Sequence, residues 1–297
     1  MKAIDLSVYQ TVSSWQKVYE DGIRFAVIKA SQGATLGGQG APFADPALQS
    51  HADGAAAAGV PFGFYHFFCA ADRAGAVSEA KFFLDTIHPW QPYVRHVFLD
   101  CEVYGNQNLL RQTRAQLSAS CRAFLETVGA AGYTAGLYTN PDHIAHRLDM
   151  SELAYPLWIA KWSGERPQTA RMLLWQYGPG TVEGIRGAVD LNECYLDEGT
   201  LAVQRLFALG YLRSPEYWIG MLQKVQYLAL LLVRLAEAFG RAAAPKKSAR
   251  EGLAALSEAG LVLTPEYWEA QLERVRFLPE LFQNLGGFTL RQQTKKE

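Results

Sequence analysis

Two carboxylates stand two residues apart at the end of an apolar run, in Val97-Phe98-Leu99-Asp100-Cys101-Glu102. In a β-strand, side chains alternate between faces, so this spacing sends Asp100 and Glu102 the same way and Cys101 the other. Two acids on one surface repel, and burial makes ionising both costly. One of them is therefore expected to hold a proton near neutral pH, which is what general acid catalysis requires. Two further acids, Asp5 and Asp190, close short apolar runs of their own. Tyr65, Tyr138, Trp158, Trp175 and Tyr177 sit near the ends of others, and as a set around acids they suit stacking against sugar rings. Lys29 ends an apolar run and can hold a neighbouring acid ionised. His66 follows Tyr65 and reads as a hydrogen-bonded core histidine.

Other chemistries have little support. No G-x-S-x-G elbow is present. Cys69, Cys101, Cys121 and Cys194 form no C-x-x-C pair or zinc spacing, and with few acids and no H-x-x-x-H no metal or other cofactor is expected. The net charge of -1 argues against a general nucleic-acid binder. No apolar run is long enough to insert into a membrane. Met1-Lys2 leads straight into Ala-Ile-Asp-Leu, with no signal peptide, so synthesis in the cytoplasm is expected.

The elements that must position these residues follow from hydrophobic pattern. Strands are expected at 3–8, 24–30, 61–68, 94–102, 134–139, 156–161, 172–177 and 187–191, with helices at 15–22, 45–59, 76–87 and 109–131. Strand alternating with helix indicates parallel βαβ units, and eight strands suffice to close a barrel. The last three lie too close together for full helices. The expected architecture is an irregular TIM-like α/β barrel, (β/α)5(β)3, over residues 1–196, with its chemistry at the C-terminal strand ends.

A small all-α domain of two helical-hairpin repeats is expected over 197–297. Ser214-Pro-Glu-Tyr-Trp218 returns fifty residues later as Thr264-Pro-Glu-Tyr-Trp268, and Leu206, Gly210, Leu222, Val225, Leu228, Leu231 and Leu235 return with it. The repeats run over about 197–240 and 250–290, joined by the basic connector 241–250. Ser214 and Thr264 read as N-caps followed by Pro at the first helical position. One hairpin cannot bury its leucine stripe alone; two form a bundle or dock on a second chain. The tail carries a net +4 against -5 for residues 1–200, which suits an anionic polymer. Tyr217, Trp218, Tyr267 and Trp268 are candidates for a polymer-binding surface, which the resemblance given below makes a cell-wall-binding one, or for a homodimer interface, the alternative being that they staple helices together.

Eight short stretches agree in order: Ile4-Asp-Leu-Ser-Val-Tyr-Gln10, Val27-Ile-Lys-Ala-Ser-Gln-Gly33, Gly63-Phe-Tyr-His-Phe67, Leu99-Asp-Cys-Glu102, Leu137-Tyr-Thr139, Leu157-Trp-Ile-Ala160, Trp175-Gln-Tyr177 and Val189-Asp-Leu-Asn192. Together they resemble the family 25 glycoside hydrolases, lysozymes of the N-acetylmuramidase type. The sequence departs from the family at Ser31-Gln32-Gly33, usually Thr-Glu-Gly, which bears on substrate contacts. The resemblance implies cleavage of the β-1,4 bond between N-acetylmuramic acid and N-acetylglucosamine in bacterial peptidoglycan, in the manner of a phage-type endolysin acting at the wall after release. It implies Glu102 as general acid, Asp100 as charge stabiliser or helper of the substrate's N-acetyl group, and Asp5 and Asp190 completing an acidic floor. The spacing leaves open whether Asp100 or that acetamide is the nucleophile, with the acetamide preferred. The tail resembles helical repeats of phage and clostridial cell-wall lytic enzymes. The alternative function is a non-catalytic glycan-binding protein on the same scaffold. A chitinase-like barrel ranks lower, because Phe98 stands where its longer acidic pattern has an Asp.

Overall fold

The computed structural model describes residues 1–239 and 248–285. The chain divides into two compact units, one of Met1–Ala55 with Val60–Leu196, the other of Asp197 onward together with Ala56–Gly59. The far end of each expected repeat and most of the connector lie outside the described residues.

The first unit is an eight-stranded closed barrel. Its strands are β1 (Lys2–Leu6), β2 (Ile23–Gln32), β3 (Phe62–Phe67), β4 (His96–Asp100), β5 (Thr134–Thr139), β6 (Leu157–Ala160), β7 (Met172–Gly180) and β8 (Val189–Cys194). Each of β1 to β6 pairs in parallel with the next, and β8 closes the ring between β7 and β1. Helices α1 (Trp15–Glu20), α2 (Leu48–Ala58), α3 (Arg73–Ile87), α4 (Gln107–Leu110), α5 (Arg114–Ala130) and α6 (Pro141–His146) follow the first five strands, and none separates the last three. The (β/α)5(β)3 expectation holds. The apolar runs of β2, β3 and β4 are buried because helices cover their outer face while the barrel interior covers the other.

Three details differ from the sequence reading. The expected helix at 109–131 is broken into α4 and α5. Thr113 accepts from the Gln116 amide while Gln116 accepts from the Thr113 amide, a capping box that starts a new helix in mid-run. The fourth strand ends at Asp100, leaving Glu102 two residues beyond it. Strand β8 runs antiparallel to both neighbours, because the connection from Gly180 to Val189 is too short for a crossover. Its beginning, not its end, therefore lies beside the C-terminal ends of the other strands, and this is how Asp190 reaches them.

The second unit is helical. It contains α7 (Glu198–Ala208), α8 (Pro215–Met221), α9 (Leu228–Ala238), α10 (Ala249–Glu258), α11 (Pro265–Gln271) and a helical segment at 278–285. Gly210 and Gly260 end α7 and α10 in the left-handed region, at φ of 81° and 72°, and the next amide in each case bonds back to the carbonyl of Leu206 or Leu256. Ser214 and Thr264 do occupy N-cap positions, yet neither hydroxyl caps its helix. Ser214 adopts φ 53°, away from the extended geometry in which a cap hydroxyl meets the first free amides. The leucine stripes meet in one core: Trp218, Leu228, Leu232 and Leu235 with Leu256, Trp268, Leu278 and Phe282. Among the described residues no helix is long and apolar enough to cross a membrane.

Candidate active site

The barrel register gathers the sequence-predicted acids at one rim. Asp100, the last residue of β4, lies between Phe67 of β3 and Tyr138 of β5. Asp5 of β1 lies directly opposite Asp190 of β8. All four carboxyls interact electrostatically: Asp100 with Glu102 and Asp5, Asp5 with Asp190 and Glu102, and Glu102 with Asp190. Cys101 points away, its Sγ 3.8 Å from that of Cys121 in the core.

Burial has placed more negative charge here than the site can hold ionised. Desolvation pushes Asp5 up to about 7, against hydrogen bonds that favour its charged form. Both bonds go to one oxygen: Gln176 Nε2 donates to Asp5 Oδ2 at 2.9 Å and Asn192 Nδ2 at 2.8 Å. Asp100 is raised well above the carboxylate range, first by burial and then by the Glu102 charge, with Lys29 acting the other way. Glu102 is raised by burial, opposed by a hydrogen bond with Tyr138 and then by Lys29. Asp190 is raised by burial. Asp100 and Glu102 differ in depth: Asp100 is buried and Glu102 only half-buried. Asp100 Oδ1 has no hydrogen-bond partner among the described residues.

Lys29 is the cation of this cluster, but its direct bond goes elsewhere. Its Nζ donates to Gln32 Oε1 at 2.8 Å and lies 4.9 Å from the centre of the Phe67 ring. The departure at Ser31-Gln32-Gly33 thus leaves Lys29 held by a neutral amide, with its charge uncancelled toward Asp100 and Glu102. Behind it, Ser31 Oγ meets His66 Nδ1 at 2.8 Å and His66 Nε2 meets Glu79 Oε2 at 2.9 Å, all three buried. A Ser–His–acid chain this enclosed is a tie between β2, β3 and α3. Gly33 is required beside it, since a Cβ there would come within 2.0 Å of Glu79 Oε1.

The aromatic residues divide. Tyr65 and Tyr138 lie beside the acids, and both phenols are raised by burial and then by the charges of the cluster, Asp5, Asp100 and Glu102 among them. Tyr138 also donates to Gln176 Oε1 at 3.1 Å. Trp158 does not offer a stacking face. It is buried in the barrel, donates to Asn192 Oδ1 at 2.7 Å, and packs against Tyr65, Phe98 and Tyr138. Trp175 and Tyr177 are outside the cluster altogether. Gln176 points inward to Asp5, so the residues flanking it point outward by strand alternation, where they lie with Lys2 and Glu193. The exposed ring nearer the site is Trp162, whose Nε1 donates to Gln176 Oε1 at 2.9 Å.

Gln176 and Asn192 were not singled out from sequence. The signal was present: Asn192 is two residues from Asp190, and Gln176 alternates with the two aromatics chosen in its place. The tail candidates also shift. Trp218 and Trp268 are 0% and 3% exposed and belong to the helical core, while Tyr217 and Tyr267 each bond to the opposite repeat. Tyr217 and Tyr267 stay half-buried. No three or more His, Cys, Asp or Glu side chains among the described residues are arranged to hold a metal ion.

A parallel barrel with its carboxyls massed at one rim is a glycosidase-like arrangement. The model of glycosyl hydrolases family 25 matches residues 4–184, and the chain belongs to that family. An autolytic lysozyme of Clostridium acetobutylicum is 31% identical over 68% of this chain, which spans 57% of that relative's length. Among solved structures, the CTP1L endolysin is 27% identical with a TM-score of 0.53, covering 72% of this chain and 71% of its own. The catalytic domain of endolysin ply40, from bacteriophage P40 of Listeria monocytogenes, is 25% identical with a TM-score of 0.54, covering 69% of this chain and 97% of its own.

Proposed function

We propose that the protein is a phage-type endolysin that hydrolyses the β-1,4 bond between N-acetylmuramic acid and N-acetylglucosamine in peptidoglycan. The observation that carries this reading is the depth difference within the acid pair. Glu102 is the member within reach of a substrate, and its pKa is raised, so it can deliver a proton to the glycosidic oxygen. Asp100 is the buried member with an unpartnered oxygen, an acceptor for the N–H of the substrate's acetamide. Its strongly raised pKa makes it a poor nucleophile. The acetamide oxygen therefore attacks the anomeric carbon as the bond to the leaving oxygen breaks. Glu102, now a carboxylate, takes a proton from the water that opens the cyclic intermediate. Asp5 and Asp190 oppose the positive charge that develops at the sugar, and Lys29 limits how far the acids' pKa values rise.

In this reading residues 1–196 form the catalytic domain and residues 197–297 bind the wall or self-associate. The test is clearing of purified cell walls by the parent and by Glu102→Gln, with mass spectrometry of the released fragments. The variant should be slower by about 10²–10⁴-fold, and the parent should release reducing N-acetylmuramic acid ends. Equal clearing by both removes Glu102 from its role. Walls bound but not cleared by either protein would make the chain a glycan-binding member of the family.

A further inference from the structure

The fifty-residue repeat is also a structural pairing, and its two halves hold each other reciprocally. Tyr217 packs edge-on to Phe277, with ring centres 4.9 Å apart, and accepts from the Arg276 amide at 2.9 Å. Fifty residues on, Tyr267 packs edge-on to Tyr227 at 5.7 Å and donates to the Gln226 carbonyl at 2.9 Å. Each repeat thus offers the same surface to the other, as in a two-fold dimer folded into one chain.

Such a pairing generates two equivalent recesses, and here they differ. In one, the chain makes its own polar contacts across the repeats. Arg213 Nε meets Glu280 Oε1 at 3.2 Å, and Asn284 Nδ2 donates to the Tyr211 carbonyl at 3.2 Å. In the other, the corresponding positions are Leu263, Leu230, Arg234 and Leu261. Among the described residues no ion pair forms there, and these residues line an open cavity of about 210 Å³ with Tyr227 and Trp268. The mouth is apolar and uncovered among the described residues: Tyr227, Leu230 and Leu263 are 55%, 59% and 68% exposed. Among the described residues Arg234 is the one charged group of the lining. Among the described residues it makes neither hydrogen bond nor ion pair.

We propose that this cavity is a binding site for a small amphiphilic carboxylate, its apolar body between Tyr227, Leu230 and Leu263 and its carboxylate on Arg234. The volume exceeds the roughly 150 Å³ that accepts a benzene ring, so one ring or a short branched chain fits. A guanidinium at the edge of an apolar cavity calls for a planar anion, which it binds through two parallel hydrogen bonds. In the other recess a carboxylate is present, as Glu280, and the chain pairs it with Arg213.

The experiment is calorimetric titration of the full chain with 3-phenylpropionate and with its neutral amide. The acid should bind saturably and the amide roughly tenfold more weakly, the scale of one charge-assisted hydrogen bond. Arg234→Gln should bring the acid down to the level of the amide. The pair Leu230→Glu with Leu263→Arg rebuilds the Glu280–Arg213 ion pair across the mouth of the open recess, and should abolish binding at an unchanged melting temperature. Equal binding of acid and amide overturns the proposal, as does unchanged binding by Arg234→Gln or by the double variant, or no saturable binding by the parent. If the double variant fails to fold, Arg234→Gln and the amide decide the matter. No readout involves bond cleavage, so failure here leaves the proposed muramidase chemistry standing, and the reverse holds too.

Discussion

The rim of the barrel and the core of the helical unit are built on opposite terms. Among the described residues, the rim crowds four carboxyls together, gives them one cation tied to a neutral amide, and leaves Asp100 Oδ1 without a partner. The helical unit repeats one motif twice and satisfies it with apolar burial and two matched tyrosine contacts. A folded chain tolerates poorly satisfied charge where that charge is used, and the barrel's paired strands hold the groups in place against their mutual repulsion. Where the chain only has to pack, the cheaper solution of duplication suffices.

The widest separation between the two regions should appear on truncating the twin tryptophans. Trp218→Ala and Trp268→Ala should each destabilise the helical unit by about 3–5 kcal/mol, read by denaturant unfolding. Nearly equal losses would support the pseudo-two-fold core, and a large inequality would break it. At the rim, removing a charge should do the reverse. Burial raises Asp5 from 3.8 to about 7. The folded form therefore binds this proton more tightly than the unfolded chain, and stability falls as pH rises from about 4 to 7. Asp5→Asn keeps an oxygen for both Gln176 and Asn192 and should abolish that fall, a gain at pH 7 on the order of 4 kcal/mol as an upper bound. Unfolding curves at pH 4 and pH 7 measure it; an equal fall in parent and variant would show that the buried charge is not the source.

Smaller effects sharpen the contrast. Lys29 lowers the pKa of both Asp100 and Glu102, so Lys29→Met should raise both. The pH–rate profile of wall clearing should then move to higher pH by on the order of one unit, and an unmoved profile would detach Lys29 from the acids. The smallest change is expected at Tyr217→Phe and Tyr267→Phe. Each loses one hydrogen bond to the other repeat, about 1 kcal/mol, and matched losses again test the two-fold relation.

Much of this was legible in the chain. Eight apolar runs with polar ends, closely spaced in the last three, specify a barrel of five βα units and three bare strands. A single strand's alternation put Asp100 and Glu102 together and turned Cys101 away. Less legible was anything needing two strands at once. Trp158, Trp175 and Tyr177 are aromatic residues near acids in sequence, but which face of β6 or β7 meets the acids depends on register and closure. That choice sent Trp175 and Tyr177 outward and brought Gln176 to Asp5. The repeat was visible as a fifty-residue offset, but its tryptophans read equally as surface or core until the two copies were paired.

Residue type and spacing fixed what is local: strand period, the acid pair, the glycine stops, and the repeat. Those follow from backbone geometry within a few residues. Depth was decided only when the barrel closed and the hairpins paired. Desolvation depends on everything packed around a group, which is why Asp100 is the buried acid, Glu102 the accessible one, and one of two equivalent recesses in the tail stands open.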